Sequence, residues 1–379
     1  MPAAVSPFLN LYMSNTLALR ADKIFNGESW LQDHAIIIDK NSIREVIPQA
    51  ELPDDSDTKD FPGCMLVPSF IDLQIYGAKE RLLAVYPDPE SLQKLNEYCR
   101  EGGAAYCMPT VATNATAVFH QCIDAIRAYW DGGGQGILGL HVEGPWISVA
   151  KKGAHIESFI HSPTLQEVKA LLEYGKGVIR IITLAPEVCD ADIIGYILSQ
   201  NIVVSAGHSN ATYEQANEGF ALGIPVATHL YNAMSPLQHR APGLLGAIFD
   251  SNQVRSSIIP DGYHVDFAAV RIAKNIMKER LFVITDAVTE TDMGFYQHIR
   301  VGDKYESMGI LSGSALTMGK AVKNLVRHAN IELSEALRMC SLYPATLMKL
   351  DHRLGKITAG HEAAITVMDN ELNVVDIIA

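Results

Sequence analysis

From Met65 onward, short apolar and β-branched runs alternate with longer stretches whose apolar residues recur every three or four positions. Eight such runs stand out: "MLVPSFIDLQIY", "AAYCMPTVAT", "ILGLHVEG", "VIRIITLAPE", "IVVSAGH", "PVATHLYN", "SSIIPDG" and "LFVITDAV". The stretches between them, such as "PESLQKLNEYCREGG", "NATAVFHQCIDAIRAYW", "TLQEVKALLEYGKG", "TYEQANEGFALG" and "DFAAVRIAKNIMKER", carry the period of amphipathic helices. Several open on Ser, Thr, Asp or Asn and close on Gly, the residues that cap helix starts and ends. Eight strand–helix units predict an α/β fold, a (β/α)8 barrel of the TIM type, over residues 61–354. The flanks read differently. Residues 16–60 are short strands joined by turns, and so is the tail "GKITAGHEAAITVMDNELNVVDIIA". Residues 1–60 and 355–379 are therefore expected to meet in one small β domain beside the barrel.

Composition narrows the picture without changing it. A chain of 379 residues could make two ordinary domains or one large barrel with an attachment. Apolar residues make up 48% of it, too many for a disordered protein. No apolar run approaches the roughly 20 residues that span a bilayer. The start, "MPAAVSPFLNLYMSNTLALRA", lacks a basic region followed by an uninterrupted apolar stretch, so no secretory signal is expected. The six cysteines are scattered, with no C-x-x-C pair, which predicts reduced thiols in a cytoplasmic protein. A net charge of −13 without a basic cluster argues against nucleic acid and anionic membrane as partners. A small anionic substrate would need a local basic pocket.

Barrel active sites lie at the C-terminal ends of the strands. The polar residues expected there are Gln74, Glu143, His208, His229, His264 and Asp286. Glu143, His208 and His229, each ending a different strand, form a three-ligand set that leaves a position open for water, as a catalytic metal site requires. Such a cation acidifies water toward neutral pH, and Asp286 would accept and pass on its proton. Many metal-dependent barrel hydrolases carry His-x-His at the end of the first strand. Here those two positions hold Gln74 and Tyr76, which argues against a second metal and predicts one divalent cation per subunit. Each residue also has a plainer reading: a lone strand-end histidine hydrogen-bonds structurally, Glu143 holds a turn, and Asp286 caps a helix. His141, two positions before Glu143, is read as packing. Arg240 in "SPLQHRAPG" and the lysines Lys151 and Lys152 read as solvated charges, so the pattern alone establishes no phosphate site.

The segments "LHVEGPWIS", "KKGAHIESF", "AGHSNATYEQ", "THLYNAMSPL", "DGYHVD", "ITDAV" and "LSGSALTMG" occur in this order. Together they resemble the N-acetylglucosamine-6-phosphate deacetylase family of the amidohydrolase superfamily. The likeness runs from about residue 60 to "SLYPATLMKLDHRLGKITAGHEA", and is looser before it. It implies hydrolysis of the acetamide of N-acetylglucosamine 6-phosphate, with Glu143, His208 and His229 as metal ligands and Asp286 as proton carrier. It also implies that His155 polarises the acetyl carbonyl, with Ala154, Asn232 and Ala233 at the sugar. Arg240 and His264 would hold sugar and phosphate, with Asp261, Gly262, Tyr263 and His264 as one segment, and Leu311, Ser312 and Gly313 as a further substrate loop. Zinc is the first choice of metal, with iron, manganese and cobalt open. The resemblance further implies a homodimer with the phosphate end near the interface. Two alternatives stay open: another N-acetyl sugar phosphate, such as N-acetylgalactosamine 6-phosphate, and an inactive barrel with an assembly role.

Overall fold

The computed structural model describes residues 16–379, so residues 1–15, which make up most of the opening segment read for a signal and the start of the expected small β domain, lie outside it. Eight parallel strands form one sheet: Phe70–Ile75, Ala104–Ala112, Leu140–Glu143, Ile179–Leu184, Val203–Ala206, Val226–Ala227, Arg255–Ile258 and Leu281–Val283. They neighbour each other in chain order, and we call them the first to eighth barrel strands. The barrel closes beyond the strands proper. The Asp286 amide donates to Gln74 O at 3.0 Å and the Tyr76 amide to Ala287 O at 2.9 Å. Deeper down, the buried Asp72 carboxylate accepts from the Thr285 amide at 3.1 Å and from the Thr285 hydroxyl. The first and eighth strands are thus tied by side chains as well as backbone.

Helices cover the outside, and their starts follow the chemistry anticipated from the sequence. The Asp88 carboxylate accepts the Ser91 amide ahead of helix Pro89–Glu101, and Thr212 with Gln215 forms a full capping box on helix Tyr213–Ala221. Two helices that the sequence did not single out, Ala191–Ser199 and Gly243–Asp250, complete the fourth and sixth units.

The run "MLVPSFIDLQIY" divides. Met65–Pro68 ends a long strand, Asp57–Pro68, of a second sheet, and only Phe70–Ile75 enters the barrel. Pro68 carries no amide to continue a ladder, and past it Ser69 N turns to Ala364 O and Phe70 N to Gly103 O. The second sheet joins the two ends of the chain as expected. Strand Ile365–Asp369 pairs antiparallel with Asp57–Pro68, which in turn pairs with Thr16–Phe25. Its own apolar core, around Leu19, Ile36, Leu66 and Val367, is distinct from the barrel's. A third, three-stranded antiparallel sheet, Ile299–Val301, Lys304–Ser307 and Ile310–Ser314, follows the eighth barrel strand and was not anticipated. It places Leu311, Ser312 and Gly313 in a strand, which corrects their reading as a loop.

Candidate active site

Glu143 is the last residue of the third barrel strand, and His208, His229 and Asp286 lie just past the ends of the fifth, sixth and eighth. The latter three adopt φ of 46°, 35° and 55°. Non-glycine residues seldom take this left-handed conformation, and where they do it concentrates at functional sites. Here it turns each chain sharply at the strand end and leaves the side chain over the barrel axis.

The side chains converge. One ligand atom from each of Glu143, His208 and His229 lies within 4.8 Å of the others. His208 Nε2 and His229 Nε2 are 3.0 Å apart and sit 3.5 and 3.4 Å from Glu143 Oε1. The far nitrogens settle the tautomers. His208 Nδ1 donates to Lys151 O at 3.0 Å and His229 Nδ1 to Asn232 O at 3.1 Å. A carbonyl can only accept, so both Nδ1 atoms carry the proton and both Nε2 lone pairs face the shared point. Histidines fixed in this way by backbone carbonyls are typical of metal ligands. Two imidazole nitrogens and one carboxylate oxygen suit zinc and other late divalent metals. These residues fit a metal.

Gln74 and Tyr76 stand beside this group, and both donate to it. Gln74 Nε2 lies 2.9 Å from Glu143 Oε1, 2.8 Å from Asp286 Oδ1 and 2.8 Å from the Tyr76 hydroxyl. The Thr228 hydroxyl donates to Gln74 Oε1 at 2.6 Å, which orients the amide. Tyr76 donates its hydroxyl to Glu143 Oε2. Burial, followed by the charges of Asp286 and Glu143, pushes this phenol well above its ordinary value, so it stays a proton donor. An amide and a phenol therefore donate to two buried carboxylates.

His155 is buried. Its Nε2 donates to Glu143 Oε2 at 3.2 Å, and its Nδ1 consequently accepts from the Thr113 hydroxyl at 2.7 Å. Burial, reinforced by His208, lowers its pKa to about 4, so it is a neutral imidazole with its Nε2 proton directed into the site. Asp286 is 9% exposed, and burial raises its carboxyl above the usual range against the opposing pull of His229. For Glu143, burial acts upward, but the neighbouring His208 and the hydrogen bond from His155 hold it well below that range.

These groups floor an open-mouthed cleft. Ala154, Asn232, Ala233, His264, Leu311, Ser312 and Gly313 line it. Asp261 does not. Its carboxylate accepts from His264 Nδ1 at 2.6 Å and from the Tyr263 and His264 amides, so it orients His264 from behind. Gly262 turns the chain at φ +80° with Phe267 against it, and Tyr263 points outward, 53% exposed; neither reaches the cleft. Arg240 is exposed and lies outside the lining of its own chain's cleft. His141 packs inside the barrel, donating from Nδ1 to Leu73 O at 3.2 Å and accepting at Nε2 from the Thr183 hydroxyl at 2.8 Å. Lys152 pairs with Glu157 at 2.9 Å on the surface. Sequence reading missed Thr113, Thr228, Tyr296 and His298. The first two are ordinary threonines near predicted strand ends, and the last two sit in a stretch with neither helix nor strand period.

The amidohydrolase family matches residues 65–378, and the NagA composite domain matches residues 17–66. The chain is 35% identical to N-acetylglucosamine-6-phosphate deacetylase of Haemophilus influenzae, covering 93% of this chain and 95% of that protein. It is 30% identical to N-acetylgalactosamine-6-phosphate deacetylase of Escherichia coli O157:H7, covering 95% and 97%. Among solved structures, N-acetylglucosamine-6-phosphate deacetylase from Pasteurella multocida superimposes with a TM-score of 0.92 at 34% identity, covering 96% of this chain and 98% of that one.

Proposed function

The chain belongs to the amidohydrolase family, and on that premise we propose that it hydrolyses the acetamide of N-acetyl-D-glucosamine 6-phosphate to D-glucosamine 6-phosphate and acetate. The observation that carries this reading is the convergence of two histidine Nε2 lone pairs and Glu143 on one point beside the buried Asp286. A divalent cation held by Glu143, His208 and His229 supplies Lewis acidity at the carbonyl and acidifies water at neutral pH.

The chain's own groups do the rest. Asp286 takes the proton of the attacking water and passes it to the leaving amine. Its burial raises its affinity for that proton, which suits a shuttle more than a fixed anion would. His155 Nε2–H donates to the carbonyl oxygen as negative charge develops there, and the Thr113 hydroxyl holds its tautomer. Ala154, Asn232, Ala233 and Leu311–Gly313 enclose the sugar, and His264, braced by Asp261, faces the phosphate. Gln74 and Tyr76 fill the place of a second cation, so the reading includes one metal per subunit, zinc first. Arg240 does not line its own cleft, so its part in phosphate binding calls for a second subunit. The reading therefore includes a homodimer with the phosphate end near the interface. A cytoplasmic site of action is supported by six free cysteines. Among the described residues no helix is long and apolar enough to cross a membrane.

The similarity to a galactosamine-specific relative makes the 4-epimer the competing substrate. Acetate release from both 6-phosphates, run beside elemental analysis of the same preparation, tests the reading. Turnover of the gluco substrate with about one metal per chain is expected. Turnover of the galacto epimer alone replaces the substrate, and loss of neither activity on metal removal overturns the mechanism.

A further inference from the structure

Beyond the eighth barrel strand the chain folds back over the mouth of the site. Thr291 and His298 pair through amide–carbonyl bonds of 3.2 and 3.1 Å, and the three-stranded sheet follows. Tyr296, His298, Leu311 and Ser312 from this segment make one wall of the cleft. The wall is anchored. The Tyr296 hydroxyl donates to Thr113 O at 2.6 Å, beyond the second barrel strand. The Tyr296 ring meets His155 edge-on at 6.4 Å and lies nearly parallel to the His298 ring, also at 6.4 Å.

His298 is the unexplained member. It is 5% exposed, and its Nδ1 lies 2.9 Å from the Ser312 hydroxyl. Among the described residues its Nε2 has no hydrogen-bond partner, although the residue lines the cleft. It is also not one of the sealed buried atoms that lack a partner, which are Asn96 Oδ1 and His120 Nε2. A buried polar atom with one end held and the other facing a cavity is costly unless a ligand completes it. Burial lowers the pKa of His298 to about 4, so the ring is neutral at working pH and attracts no phosphate as a cation would. A neutral imidazole whose partner is a hydroxyl can take either tautomer, because Ser312 can donate or accept. Its free nitrogen then suits a group that is itself both donor and acceptor. A sugar hydroxyl is such a group.

We propose that His298, held by Ser312, is a specificity-determining residue that hydrogen-bonds a secondary ring hydroxyl, O3 or O4, of the amino sugar. The assignment rests on the deacetylase reading above, which puts the acetamide at the metal ligands and the phosphate at His264. O3 and O4 lie on the ring edge between those two ends. The wall reaches the cleft from a segment that supplies no metal ligand.

The test uses the metal-loaded full chain with N-acetylglucosamine 6-phosphate and its 3-deoxy and 4-deoxy analogues, following acetate release. His298→Phe keeps a flat ring beside Tyr296 and removes both nitrogens. His298→Gln returns a polar amide near the same place and serves also if the Phe variant folds poorly. The wild type should lose about tenfold to a hundredfold in kcat/KM on one of the two analogues. His298→Phe should lose a similar factor on the parent sugar and show no remaining penalty for that analogue. His298→Gln should recover part of both. Metal content should stay the same throughout. A penalty that persists unchanged in the variants, or a wild type that treats all three sugars alike, overturns the assignment. A metal-loaded wild type that releases no acetate from any of them overturns the deacetylase reading itself.

Discussion

Asp286→Asn separates chemistry from architecture at this site. The Asp286 carboxylate is 9% exposed and accepts from Gln74 Nε2 at 2.8 Å. Asparagine has the same shape and can keep its oxygen toward that donor, so the network retains its geometry. The charge-assisted bond becomes a neutral one, a loss of about 1 kcal/mol. Relief of repulsion from the neighbouring Glu143 carboxylate works in the opposite direction. In a chain of this size the net change should move Tm by no more than about 2–4 °C. Glu143, His208 and His229 keep their places, so metal content should not change. The amide cannot take a proton from water or hand one to the leaving nitrogen. A positioned acid–base group is worth about 10²–10⁴-fold, or about 3–5 kcal/mol of barrier. Three measurements on one preparation decide the matter: acetate release, elemental analysis and a thermal melt. The expected pattern is a rate down by at least about a hundredfold with normal metal and near-normal Tm. Loss of metal or a large drop in Tm would recast Asp286 as a structural residue. More than roughly a tenth of the wild-type rate would refute the proton-shuttle role, since it lies well above that range.

Other expectations follow from the same contacts. Elemental analysis of fully active protein should approach one metal equivalent, because the Gln74 amide and the Tyr76 hydroxyl already donate to the carboxylates of Glu143 and Asp286; activity rising in step with a second equivalent would contradict this. Arg240→Ala should raise KM for the phosphorylated sugar by roughly tenfold to a hundredfold and leave kcat/KM for free N-acetylglucosamine nearly unchanged; equal effects on both sugars would remove Arg240 from the phosphate site. Asp72 should make stability fall with rising pH. Burial raises its folded-state pKa from 3.8 to about 7, so between those values the folded protein holds a proton that the unfolded chain has lost. Stability should decline by up to about 1.4 kcal/mol per pH unit through that window and level off above it. Denaturant titrations should show Asp72→Asn flattening the slope, and an unchanged slope would assign the pH dependence elsewhere.

The strand and helix units were legible in the sequence because their signals are local. A β-branched run or a three-to-four-residue apolar period is written within a dozen positions. The same logic reached Glu143, His208, His229 and Asp286, since barrel geometry puts the residue after a strand over the axis. Local signals failed where pairing decided the outcome. "MLVPSFIDLQIY" reads as one strand, yet Pro68 and the C-terminal strand Ile365–Asp369 draw its first half into the second sheet. The strands after Val283 were missed because their amphipathic pattern is short and partly exposed.

By itself, then, the sequence determined the succession of elements, the class of the fold and the residues able to ligate a metal, because each depends on the character of a short segment. Only the tertiary structure decided how those residues act on one another. Closing the barrel sets Gln74 against Asp286, 212 positions apart, so that an amide and a phenol donate to two buried carboxylates. It turns Asp261 behind His264, leaves Tyr263 and Arg240 outside the cleft and carries His298 into its wall. Hydrogen bonds and desolvation depend on which distant side chains share a few ångströms of buried space, and no single segment of the chain contains that information.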